Sequence, residues 1–123
     1  FRGCTDLCNL NLNFLDTRNV NNMKSMFSQC TSLISVDLSS FNTINVIGFD
    51  SMFWRCSVLK TIYTSNTFVT NENASSGSMF SACNNLVGGL GTKYNSSKTN
   101  KEYARVDGGP DSSTPGYFTL KEN

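Results

Sequence analysis

Cysteines and carboxylates are the residues in this chain whose chemistry could be put to work, and their spacing limits what that chemistry can be. Five cysteines are present, and four of them, Cys4, Cys30, Cys56 and Cys83, follow one another at intervals of 26, 26 and 27 residues. Three of these close the motif M-F-x-x-C (Met26, Phe27, Cys30; Met52, Phe53, Cys56; Met79, Phe80, Cys83), so they sit at one repeat position on an apolar face. That placement predicts a ladder of small buried thiols, reduced and reactive only after unfolding. A disulfide between successive rungs is conceivable in distance but needs the side chains turned toward each other. Cys8 falls at the repeat position of Ile34, beside a strand, and is expected to react on its own. Cys4 and Cys8 form C-x-x-x-C with no second pair, too little for a structural zinc site, so no metal is expected. The chain has no histidine, which removes the usual general base and nucleophile partner. Asp16, Asp37, Asp50, Glu72 and Asp107 fall at different positions of different repeats, so no convergent acid/base pair is visible. GGLG and DGG lack the lysine and following helix of a phosphate loop. Neither an enzyme nor a cofactor is expected.

The elements that position these residues follow from the repeat. Aligned from each cysteine, the first two units share a leucine three residues on (Leu7, Leu33), an alternating pair (Leu10 with Leu12, Val36 with Leu38), an apolar turn residue (Leu15, Phe41) and a downstream valine (Val20, Val46). The third keeps Leu59, Ile62 and Phe68 and has one inserted residue. Val36 and Leu38 alternate with Ser35, Asp37 and Ser39, the period of a short half-buried strand. Val46, Phe49, Met52, Phe53, Cys56 and Leu59 recur every three or four residues, which predicts one face of a helix. Each unit therefore reads as strand, turn and helix. Because one unit cannot bury its apolar side alone, neighbours must stack, with the strands in a parallel sheet. The expected fold class is α/β, a leucine-rich-repeat-like solenoid of about 26-residue units over residues 1–87, with the chain beginning inside a repeat. Residues 88–123 depart from the pattern: VGGLG replaces the strand, and EYARVD and YFTLK flank the turn-rich GGPDSSTPG. This predicts a C-terminal β-hairpin cap in which Tyr103, Val106, Tyr117 and Phe118 cover the last apolar layer.

The segments LISVDLSSFNT, NVNNMKSMFSQCTSL and NLVGGLGTKYNSS…YARVDGGPDSSTPGYFT resemble the BspA-type leucine-rich-repeat proteins of bacterial surfaces, and the resemblance covers essentially the whole chain. It implies an extracellular location, at the cell surface or secreted, and a role in adhesion, with no shared catalytic residues.

Charge excludes other partners. Ten Lys and Arg against nine Asp and Glu leave a formal charge of +1, too little field to draw in nucleic acid. No apolar run is long enough to insert in a membrane. Ser, Thr and Asn fill more than a third of the positions, so the surface is polar but mostly uncharged. The expected partner is a protein or glycan, met on the concave strand face by Asn9, Asn11, Ser35, Asp37, Ser39, Thr61, Tyr63 and Ser65, with Asp37 and Tyr63 as an exposed hot-spot pair. The competing reading is a spacer or stalk that presents another domain. Sequons at Asn73 and Asn95 would mark glycan sites only in a host that glycosylates them.

Overall fold

Three or four residues are enough for a strand when its apolar side chain packs inward beside that of a neighbouring strand. The computed structural model describes residues 1–121 and contains four short strands: β1 (Asn9–Asn11), β2 (Ser35–Asp37), β3 (Thr61–Thr64) and β4 (Phe118–Leu120). They form one parallel sheet in the order β1-β2-β3-β4. Leu10, Val36, Ile62 and Phe118 stand in register, and the last three are fully buried. The alternation in the sequence thus points the predicted residues inward.

The predicted helices are not there. Among the described residues the helical structure is a single 3₁₀ turn, Lys101–Tyr103. Residues 46–59 and their counterparts form a ribbon of turns, closed by bonds from some N–H groups to the carbonyl three residues back: Val46 to Thr43, Met52 to Phe49, Cys56 to Phe53 and Leu59 to Cys56. Alternate N–H groups leave the ribbon altogether. Those of Met23, Ser25, Phe27 and Gln29 donate to the carbonyls of Gly48, Asp50, Met52 and Trp54 in the next unit, at 2.7–2.9 Å. Phe49, Ser51, Phe53 and Arg55 donate in the same way to Ser75, Gly77, Met79 and Ser81. Ser25 and Gln29, Ser51 and Arg55, and Ser78 and Ala82 all have φ between 56° and 64°. A right-handed helix cannot contain such residues, and each costs about 1–2 kcal/mol for a side chain other than glycine. Hydrogen bonds between units offset that cost. The apolar pattern fits turns better than a helix: 46, 49 and 52, then 53, 56 and 59, are two strict runs of three separated by one step.

Stacking in register brings like onto like. The rings of Phe1, Phe27, Phe53 and Phe80 lie nearly parallel, with centroids 5.7, 5.4 and 5.5 Å apart. Beside them Leu33, Leu59 and Leu86, and Met52 and Met79, are buried. Isolated parallel bridges link Asn22, Gly48 and Ser75 on this side of the stack.

The fourth unit starts like the others, since Val87 N–H donates to the Lys60 carbonyl just as Lys60 donates to Ile34 and Ile34 to Cys8. It is then diverted. Gly88 packs so tightly that a Cβ there would lie 2.1 Å from the Gly116 carbonyl oxygen, and Gly91 turns the chain at φ +99°. β4 fills the vacated strand position. The expected hairpin is therefore absent: β4 runs parallel to β3, and Val106 meets Phe118 in a parallel bridge. This arrangement gives the second edge of β3 a parallel partner. Tyr117 and Phe118 do cover the last layer, meeting Phe80 edge-on at 5.0 and 6.1 Å, while Tyr103 and Val106 are half-buried.

Candidate site on the strand face

Register fixes which outward side chains are neighbours. Asn9, Ser35 and Thr61 form one column, and Asn11, Asp37, Tyr63 and Thr119 form another. Asn9, Asn11, Ser35, Asp37 and Tyr63 line one open hollow of about 290 Å³ together with Leu10 and Lys121. Five of the eight expected face residues are thereby brought together. Thr61 is half-buried beside them. Ser39 and Ser65 are committed elsewhere: the Ser65 hydroxyl donates to the Ser39 carbonyl at 2.8 Å and ties the units together.

The expected hot-spot pair is adjacent but not free. Asp37 is 6% exposed, and its Oδ1 turns back to accept the Ser39 N–H at 2.9 Å. Tyr63 is half-buried. Lys121 lies over both, its Nζ 3.4 Å from Asp37 Oδ2 and 4.8 Å from the Tyr63 ring centroid. Burial pushes the Asp37 carboxyl up, but the Ser39 hydrogen bonds and the Lys121 charge outweigh it and hold it below the usual carboxylate range. The sequence reading missed Lys121. Its signal was the period of two: once Thr119 pairs with Tyr63, residue 121 falls on the same face.

A larger hollow of about 500 Å³ lies on the other side of Tyr63 and Lys121, floored by Phe118 and Thr119 and walled by Leu90 and Asp107. Asp107 looks like a catalytic acid by burial alone, at 5% exposure. Its oxygens are fully occupied. Oδ1 accepts the Thr92 hydroxyl and the N–H groups of Gly109 and Gly116, and Oδ2 accepts those of Leu90 and Thr92. Burial raises this carboxyl, yet the Thr92, Gly109 and Leu90 hydrogen bonds bring it down to about 2. It is a structural knot that holds the diverted fourth unit.

Three of the four ladder cysteines are buried as the repeat predicts, and Cys4 is the exception. Cys30, Cys56 and Cys83 are buried and free, and each thiol donates to the carbonyl of a phenylalanine in the preceding unit, Phe1, Phe27 and Phe53, at 2.9–3.0 Å. Burial pushes the Cys56 thiol up to about 12 and that of Cys83 higher. Cys4 is half-buried and Cys8 exposed. Among the described residues no cluster of histidine, cysteine or carboxylate could hold a metal, and no helix is long and apolar enough to cross a membrane.

Asparagine and aspartate abundance has a local cause. Asn11, Asp16, Asn22, Asp37, Asn42, Asn71 and Asn95 each accept, through a side-chain oxygen, the N–H two residues on. These Asx turns make the corners of the units. Both sequon asparagines are exposed.

A family model matches residues 1–102, which takes in all three complete units and most of the diverted fourth. The chain belongs to the DUF285 family, described as Mycoplasma protein of unknown function. No curated protein and no solved structure matches it. In this chain the DUF285 match covers the stacked units, and β4, which closes the sheet, lies beyond the matched residues.

Proposed function

We propose that this DUF285 chain is a binding module of a BspA-like surface protein, displayed outside the cell, in which the units form a solenoid and the strand face meets a protein or glycan. The observation that carries this reading is the hollow around Asp37 and Tyr63. It gathers five outward side chains from three successive strands around one carboxylate and one aromatic ring. Recognition surfaces concentrate their affinity in such central aromatic and charged anchors.

A spacer role is the second reading, favoured by the small neutral side chains of the rest of the face, Asn9, Asn11, Ser35 and Thr61. The experiment that separates the two is retention of the purified chain on a panel of matrix proteins and glycans, with Tyr63→Ala in parallel. A binding module shows a retained partner whose affinity falls in the variant by about 1 to 3 kcal/mol, as for an interface anchor. A spacer shows no retained partner.

A further inference from the structure

Asp37 carries a charge that its local role does not need. In the preceding unit Asn11 occupies the same register position and makes the same turn, its Oδ1 accepting the Asn13 N–H at 3.0 Å where Asp37 accepts that of Ser39 at 2.9 Å. A neutral amide therefore suffices for the corner. The second oxygen of Asp37 is buried and accepts no hydrogen bond. Lys121 comes within ion-pair distance at 3.4 Å without the geometry of a hydrogen bond. Lys121 compensates the charge from 3.4 Å without closing a hydrogen bond to that oxygen, and an ammonium seated closer would close one.

Beside that oxygen, Tyr63 turns its ring to the same ammonium at 4.8 Å, the arrangement by which aromatic faces hold cations. Asn9, Asn11 and Ser35 line the remaining rim, the Ser35 hydroxyl donating to Asn9 Oδ1 at 2.8 Å and the Asn13 N–H to Asn11 Oδ1 at 3.0 Å, so the rim is polar and uncharged. The space, about 290 Å³, suits an ammonium on a short alkyl stem. Lys121 is anchored by its backbone, whose N–H donates to the Thr64 carbonyl at 2.9 Å, and its side chain is 41% exposed. The side chain can swing out without any strand leaving the sheet.

We infer that Asp37 and Tyr63 form a receptor for a primary ammonium, the end of a lysine side chain on a basic protein partner, and that Lys121 is an internal occupant which the partner's lysine displaces. This rests on the strand face being the binding surface. A tethered occupant competes at its effective concentration, in the millimolar range for short flexible tethers. Removing it unmasks the site by a corresponding factor.

The test is an NMR titration of the full chain with n-butylammonium, and with 1-pentanol as an uncharged probe one heavy atom longer. Lys121→Met, and Lys121→Gln as a second way to vacate the site, are expected to bind butylammonium at least tenfold tighter than the wild type, with shifts centred on Tyr63. Adding Asp37→Asn, which keeps the corner as Asn11 does, is expected to lose at least tenfold. Pentanol is expected not to bind. Equal affinity of wild type and both Lys121 variants, or pentanol binding as well as butylammonium, would overturn the receptor. The same variants on the partner panel separate this inference from the reading it rests on. A retained protein or glycan indifferent to Asp37→Asn and Lys121→Met leaves the binding role standing and overturns the ammonium receptor. Tight butylammonium binding with no retained partner upholds the receptor and removes the adhesion role.

Discussion

The two sides of the stack obey opposite rules. At the buried M-F-x-x-C positions of the turn side the same residues recur from unit to unit, phenylalanine on phenylalanine and cysteine on cysteine, with rings 5.4 to 5.7 Å apart. On the strand face the column that begins with Asn11 changes at every step, to Asp37, Tyr63 and Thr119. The difference has a physical origin. A residue buried against its own counterpart in the next unit is constrained by shape, and one size fills every rung. A residue whose neighbour is solvent or a partner is free to vary, and that is where recognition can be written.

The largest effect that can break this comparison is on the turn side. Phe53→Ala removes a fully buried ring held between Phe27 and Phe80, and should cost about 3 to 5 kcal/mol in a denaturant titration. A loss below about 1 kcal/mol would show that the ladder is not the core it resembles. Asp107→Asn comes next, because an amide nitrogen replaces one of two oxygens that together accept five hydrogen bonds. A loss of about 2 to 4 kcal/mol is expected from the donors left unpaired. The same carboxylate predicts an acid limb. Its folded pKa, about 2, lies below the ordinary 3.8, so its contribution is complete above about pH 4 and disappears as pH falls toward 2, amounting to about 1 to 2 kcal/mol. Stability measured from pH 5 to pH 2 in wild type and Asp107→Asn should differ in slope only in that window.

Thiol labelling sharpens the comparison without any substitution. At about 12, the Cys56 thiol has about a thousandth of the thiolate of an ordinary cysteine. Cys8 should label in the native protein, and Cys30, Cys56 and Cys83 only after denaturation. Rapid native labelling of Cys56 would contradict its burial. Smallest of all is Asp37→Asn, which keeps the Ser39 corner and loses only the Lys121 ion pair. Its stability cost should be below about 1 kcal/mol.

The repeat, the strand positions and the inward residues Val36, Leu38 and Ile62 were readable in the sequence, because a period of two has a single structural meaning. The turn ribbon was not. Apolar residues three apart fit a helix face almost as well as a run of turns, and what decides between them is the destination of the N–H groups of Phe27 and Phe53, which lies a whole unit away. The cap was half readable: Tyr117 and Phe118 announced themselves as aromatic cover. The direction of β4 depended on Gly88 admitting the Gly116 carbonyl where no side chain fits. Five of the eight face residues share one hollow, because the period of two puts them on one side of the sheet, while Thr61, Ser39 and Ser65 lie outside it. The burial of Asp37 was hidden because it depends on Lys121, 84 residues on in the chain.

The most direct test of the division between the two sides sets one aromatic residue of each against the other. Trp54 is half-buried on the turn ribbon under the Arg55 guanidinium at 4.6 Å, and Tyr63 is half-buried on the strand face under Lys121 at 4.8 Å. Affinity for a partner retained on the matrix-protein and glycan panel should be measured for the wild type, Tyr63→Ala and Trp54→Ala under the same conditions. The strand-face account predicts a loss of about 1 to 3 kcal/mol for Tyr63→Ala and a change within about twofold for Trp54→Ala. A loss confined to Trp54→Ala would place recognition on the turn side and contradict it.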